Sequence, residues 1–225
     1  MANKNKAKGS LAERGVRDYI NLRFPLADQG IGASIIPSKG SLDIGDIDGV
    51  PFTMIEVKNY KKPVWGQLVS NAEWKYANSG RDFWSLVSKR HRFSALRAGK
   101  WDAVTTVSGL ESFGLVDSGG GSVADFISSE HGGEQRVFTF DNFVHDHLNI
   151  VVNRNVVIYP FSCYSGIGNV AHKVVDSREM CDDVALCVFP RRSKEVDDYY
   201  VFTNLEGYTK MLETVGIVPQ LPANA

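Results

Sequence analysis

The sequence predicts a mixed α/β protein, and three observations carry that expectation. Through residue 107 the order reads helix, strands, helix, strands, the alternation that builds a mixed sheet flanked by helices. Of the 225 residues, 43% are hydrophobic and 23% charged, ordinary for a chain with a buried core. No apolar run approaches the roughly 18 residues that cross a bilayer, so no membrane partner is expected.

Each element has its own warrant. Residues 1–9, with Lys4, Lys6 and Lys8, read as a mobile basic arm that lacks the apolar core of a secretory signal. Ser10 then offers an N-cap, with Glu13 at the third helical position in a capping-box pattern. Leu11, Val16, Tyr19, Ile20, Leu22 and Phe24 give that helix its apolar residues, and Pro25 ends it. Ala33–Ile36 reads as a short strand. Leu42–Ile47 and Phe52–Lys58 read as strands joined through Asp48-Gly49-Val50-Pro51, a hairpin signal lengthened by the proline. A helix is expected over Val64–Asn78, carrying Trp65, Leu68, Val69, Ala72, Trp74 and Tyr76, with Gly80 as its stop. Phe83–Ser88 and Trp101–Val107 follow as strands.

Beyond residue 107, Ser118-Gly119-Gly120-Gly121-Ser122 is the clearest break, and His131-Gly132-Gly133 a second. Val137–Phe140, Ile150–Val152, Val156–Phe161, Val184–Phe189 and Asp198–Thr203 are strand-like, and Leu205–Val215 a terminal helix. The expected organisation is a first domain over 1–116, a Gly-rich linker or loop over 117–135, an additional C-terminal α+β region over 136–218, and a tail over 219–225. A weak repeat links the two halves. Trp84 to Arg90, Trp101 to Thr105 and Gly109 to Phe113 read as strand, basic turn, strand and short helix. Ala185 to Arg192, Tyr199 to Thr203 and Leu205 to Tyr208 read the same way. Two hairpins of independent origin are the alternative.

The net charge of −1 hides a split. Residues 1–100 hold 17 Lys and Arg against 9 Asp and Glu; the rest hold 8 against 17. A basic half points to a polyanion partner. Cys163, Cys181 and Cys187 are odd in number and lack CxxC spacing, so they read as buried or idle thiols of a reducing, cytoplasmic compartment. Gly119 to Ala124 fits GxGxxA without a firm strand before it, and His145-Asp146-His147 lacks a third ligand, so neither is read as a site.

Ile55-Glu56-Val57-Lys58 is the most informative stretch. In a strand Glu56 and Lys58 share one face, with Ile55 and Val57 turned to the core. If the two strands pair antiparallel, Asp46 sits across from Glu56. Two carboxylates and a lysine then converge at one end of a hairpin, a cluster that repels itself alone and that Mg²⁺ stabilises. Glu13 is either a fourth member or simply the capping-box acid.

This set resembles the PD-(D/E)xK nuclease signature. The first hundred or so residues are similar to Holliday junction resolvases of that superfamily, the phage type being the better match. The resemblance rests on Gly45-Asp46-Ile47, Gly49-Val50-Pro51, Ile55-Glu56-Val57-Lys58-Asn59 and the helix over Val64–Asn78. Residues 117–183 have no counterpart in it. The resemblance implies a restriction endonuclease-like core. It makes Asp46 and Glu56 metal-binding carboxylates, Glu13 an accessory acid and further metal ligand, and Lys58 the residue that orients or activates water. Asp43 is the rival to Asp46, and Asp48 reads as a turn residue. The implied cofactor is Mg²⁺, with Mn²⁺ able to substitute. The implied activity is hydrolysis of phosphodiesters in branched DNA by a homodimer, whose two-fold axis relates two centres. A phage protein of this kind works in the host cell cytoplasm. Another nuclease on the same core, of restriction or repair type, is the alternative enzyme. A non-catalytic DNA-binding or assembly module is the alternative of another class.

The DNA-facing candidates are Lys4, Lys6 and Lys8, then Lys61 and Lys62 after the motif, then Lys89, Arg90 and Arg92 in the basic turn. Ser38 and Lys39 lie in a polar loop that borders the active site in the resembled nucleases. Trp65, Trp74 and Tyr76 are either core residues or faces for unstacked bases.

Overall fold

Strands flanked by helices make up the computed structural model, which describes residues 4–24, 32–37, 44–117, 121–129, 135–140, 155–162, 167–177, 183–192 and 194–215. The described residues divide into two compact units, one running through Ala103 and the other starting at Val104.

In the first unit, helix α1 (Lys4–Arg23) is followed by β1 (Ser34–Ile35), β2 (Ile47–Asp48) and β3 (Thr53–Lys58). Helix α2 (Trp65–Ser79) then leads to β4 (Phe83–Ser88). β1 pairs antiparallel with β2, and β2 antiparallel with β3. β3 and β4 run parallel in register from Thr53 opposite Phe83 to Lys58 opposite Ser88. The crossover through α2 supplies the chain length that a parallel pair requires.

The start of α1 corrects one expectation. The helix begins at Lys4, so the basic arm forms its first turns, and Ser10 and Glu13 lie inside it rather than at a cap. Lysine and alanine are good helix formers, and nothing in Lys4 to Lys8 breaks the turn. Ala12, Val16, Ile20 and Phe24 recur every four residues and are buried. The last three each contribute roughly 1.5–3 kcal/mol of apolar burial. This helix packs on β3 and on a 3-10 turn over Ala95–Lys100.

The strand expected over Leu42–Ile47 is found only as Ile47–Asp48, and residues 38–43 lie outside the described ones. Gly49 takes φ 86 in the turn that follows, a conformation glycine adopts without a Cβ penalty. Trp65 opens α2 with Val64 as its N-cap, and Gly80 at φ 63 closes it in the left-handed conformation, as the sequence led us to expect. Leu68, Val69 and Ala72 form its buried face.

β5 (Asp102–Thr106) spans the boundary between the units. The second unit adds α3 (Val107–Glu111), β6 (Leu115–Asp117), α4 (Val123–Ser129), β7 (Arg136–Phe140) and β8 (Val156–Pro160). It closes with α5 (Ile167–Ser177), β9 (Val184–Phe189), β10 (Tyr200–Asn204) and α6 (Leu205–Thr214). Within it β6–β7, β7–β8 and β9–β10 are antiparallel, and β8–β9 is parallel. The expected linker over 117–135 holds α4, whose Val123, Phe126 and Ile127 are buried, so apolar packing overrides the glycine signal there. The expected strand over Ile150–Val152, the His145-Asp146-His147 run and Cys163 and Cys181 lie outside the described residues. Cys187 is buried, and burial pushes its thiol up to about 12, which leaves it inert. No described helix is long and apolar enough to cross a membrane.

Candidate active site

β3 is buried along its length except at Lys58, because β2 and β4 flank it while α1 and α2 pack on it. Glu56 is 0% exposed. A carboxylate in that position needs partners. It has two. Lys75 Nζ donates to both Glu56 oxygens at 2.7 Å, and Lys58 pairs with Glu56 Oε1. Lys75 comes from α2, which the β3–β4 crossover lays against the strand.

Asp46 reaches the same strand from the β2 side. Ile47 pairs with Ile55, so the antiparallel register sets Asp46 opposite Glu56. The Asp46 N–H donates to the Ile55 carbonyl at 2.8 Å, and the Val57 N–H donates to Asp46 Oδ2 at 2.7 Å. Burial and then the negative charge of Glu56 raise the Asp46 carboxyl to about 7, against the opposing pull of the Val57 N–H, Lys58 and Lys75. Asp48 is the exposed last residue of β2 rather than a turn residue, and it pairs with Arg81 at 3.2 Å. Asp43, the rival, lies outside the described residues.

Glu13 is half-buried on α1, the helix that packs on β3. Among the described residues no group of three or more His, Cys, Asp or Glu side chains is placed to hold a metal ion. Ala12, Val16 and Ile20 occupy the buried face of α1, and Glu13 lies about 100° round the helix from Ala12. Asp46 and Glu56 alone still fit Mg²⁺, which takes one or two protein carboxylates and completes its shell with water and phosphate oxygens. Their shared burial is the cost that a bound dication would relieve.

A cleft of about 450 Å³ opens over Glu56 and Lys58. Gln67, Asn71 and Lys75 line it from α2 at helical spacing, and Tyr60, Lys62 and Trp74 border it. Tyr60 is 52% exposed and Trp74 58%, large apolar surfaces left facing solvent. Sequence reasoning passed over Lys75, Gln67, Asn71 and Tyr60. The available signal was the polar row 67, 71, 75 beside the apolar row 68, 72.

The basic candidates divide. Lys6, Lys8, Lys61, Lys62 and Arg92 are exposed. Lys89 lies 5.6 Å from the Trp101 ring, and Arg92 5.0 Å from Phe93. Arg90 is corrected from a surface contact to a core residue: it is 4% exposed and donates through Nε to Asp102 Oδ1 at 2.7 Å. The side chain of Lys4, and Ser38 and Lys39, lie outside the described ones.

The raised Asp46 carboxyl has a measurable consequence. Its ordinary value is 3.8 and its folded value about 7, so the folded state holds the proton more tightly. The resulting stabilisation is complete below pH 3.8 and lost as pH rises through 7. In EDTA, Asp46→Asn keeps an acceptor for Val57 without that loss. Its stability relative to wild type is expected to climb from pH 4 to 7 and level off above 8 in denaturant titrations. Parallel pH profiles would contradict the placement of Asp46.

No protein-family model matches the chain, and neither does any curated protein or solved structure.

Proposed function

We propose that the chain is a Mg²⁺-dependent DNA endonuclease of the PD-(D/E)xK kind, acting on branched DNA as Holliday junction resolvases do. The observation that carries this reading is the juxtaposition of Asp46 and Glu56 on paired strands with Lys58 two residues further along β3. Asp46 and Glu56 would hold the ion, which polarises the scissile phosphate and acidifies a bound water. Lys58 places an ammonium where negative charge gathers on the phosphoryl group in the transition state. Lys75 orients the Glu56 carboxylate from the helix side. Lys61 and Lys62 meet backbone phosphates, and Tyr60 and Trp74 offer ring faces to an unstacked base. A branch point supplies such bases and an intact duplex does not.

The test is incubation with Mg²⁺ on four-way junction, duplex and single-stranded DNA. Paired incisions confined to the junction support the proposal. General duplex cutting would make it another nuclease on the same core, and binding without cutting in Mg²⁺ and Mn²⁺ would leave only a DNA-binding module. Binding itself is expected to weaken steeply with salt, with a log–log slope set by the phosphates contacted. An affinity that stays flat between 50 and 200 mM salt, as rough working limits, would remove the lysines from the interface.

A further inference from the structure

The repeat visible in the sequence extends through both halves of the chain. β2–β3 is an antiparallel pair, β3–α2–β4 a parallel crossover, and a 3-10 turn then leads to β5 and α3. β7–β8 is an antiparallel pair, β8–α5–β9 a parallel crossover, and a 3-10 turn over Val196–Asp198 leads to β10 and α6. The details correspond as well. The Thr106 side chain caps α3 by accepting from the Gly109 N–H, and the Asn204 side chain caps α6 by accepting from the Gly207 N–H. Counting from those caps aligns Asp102 to Leu110 with Tyr200 to Tyr208 without a gap. Asp102 then matches Tyr200. Arg90 binds Asp102 in the first half, and Arg191 lies 5.5 Å from the Tyr200 ring in the second. Two hairpins of independent origin would not share register, caps and arginine contact.

The register also identifies what became of the charged set. Thr53 pairs with Phe83 and Val156 with Val184, each opening its parallel ladder. Counting forward from these, Glu56 matches Tyr159 and Lys58 matches Phe161. Ile47 pairs with Ile55, and Arg136 with Ile158, so the residue opposite Glu56 is Asp46 and the residue opposite Tyr159 is Gln135. Asp, Glu and Lys thus become Gln, Tyr and Phe. Phe161 stacks on Phe189 at 4.7 Å, with ring planes 7° apart, where the first half carries Lys58 beside Ser88. An amide, a phenol and a phenyl ring offer no carboxylate for a hard cation and no ammonium for a phosphoryl group.

We infer that the second half is a copy of the first that has kept the architecture and lost the catalytic set. Each chain then holds one centre and cuts one strand, and paired cuts need two chains. The inference concerns residues 135–208 and rests on the nuclease reading for its activity. The test uses the full-length protein. Mn²⁺ titration in the absence of DNA should saturate in one step that Glu56→Gln and Asp46→Asn each remove, with circular dichroism confirming that both variants fold. On a four-way junction, nicks should form first order in active chains. Wild type mixed in equal amounts with Glu56→Gln should shift products from paired cuts toward single nicks. A second Mn²⁺ step, or Mg²⁺-dependent cutting that persists in both variants, would overturn the single-centre inference and leave the nuclease reading standing. No Mn²⁺ binding and no cutting by wild type would overturn the nuclease reading, and the single centre with it.

Discussion

Glu56→Gln is expected to lower junction cleavage by about 10³-fold or more, the scale on which one preorganised charged group acts at a phosphoryl or acyl centre. The substitution keeps the shape of the side chain and removes the charge that would hold the ion. It also leaves Lys58 and Lys75 without their shared carboxylate, so both ammoniums turn toward water or toward phosphate. Junction binding should therefore be at least as tight as in wild type, because one negative charge has left the cleft. Single-turnover cleavage beside a binding titration separates the two effects. Cleavage within tenfold of wild type would remove Glu56 from the centre. Lys75→Met should cost less than Lys58→Met, since Lys75 acts through the orientation of Glu56.

Arg90→Met is expected to destabilise the fold by roughly 3–5 kcal/mol, the usual consequence of stranding one member of a buried ion pair. Asp102 is 5% exposed and would keep a carboxylate with its 2.7 Å donor gone. For a chain of this length the melting temperature should fall by roughly 10 °C. Adding Asp102→Leu should recover much of the loss, because a buried pair replaced by apolar groups is often neutral. The salt dependence of DNA binding should not change, which distinguishes Arg90 from its neighbours Lys89 and Arg92. A steeply altered salt slope with unchanged stability would return Arg90 to the surface.

The segments that read most clearly were those whose period and punctuation agree. β4 and β9 fall where their apolar runs do, and α2 stops at Gly80 because only glycine takes that backbone without cost. The start of α1 was misread because Ser10 and Glu13 mimic a capping box inside a longer helix, and local chemistry alone does not distinguish the two. α5 went unread although Ile167, Val170, Ala171, Val174 and Val175 carry a helical period. At the site, Asp46, Glu56 and Lys58 could be assembled because strand register is a short-range rule. Lys75 could not, because its meeting with Glu56 depends on how a helix lies across a sheet. Arg90 sits in a Lys-Arg-His-Arg run that reads as solvated, and its partner, twelve residues on, becomes its neighbour only in the fold.

The double grip on Glu56 bears on the order in which the components assemble. Two ammoniums face one carboxylate there, while burial and the charge of Glu56 raise the Asp46 carboxyl and so weaken its negative charge. The resting cleft, lined by Glu56 together with Lys58, Lys62 and Lys75, is thus electropositive. On the proposed reading, a phosphate strand finds attraction in it before any dication arrives, and DNA enters first. The lysines then act as a resident counter-charge that the ion displaces, so recognition is uncoupled from cutting and a branched substrate can be held intact until the metal completes the centre.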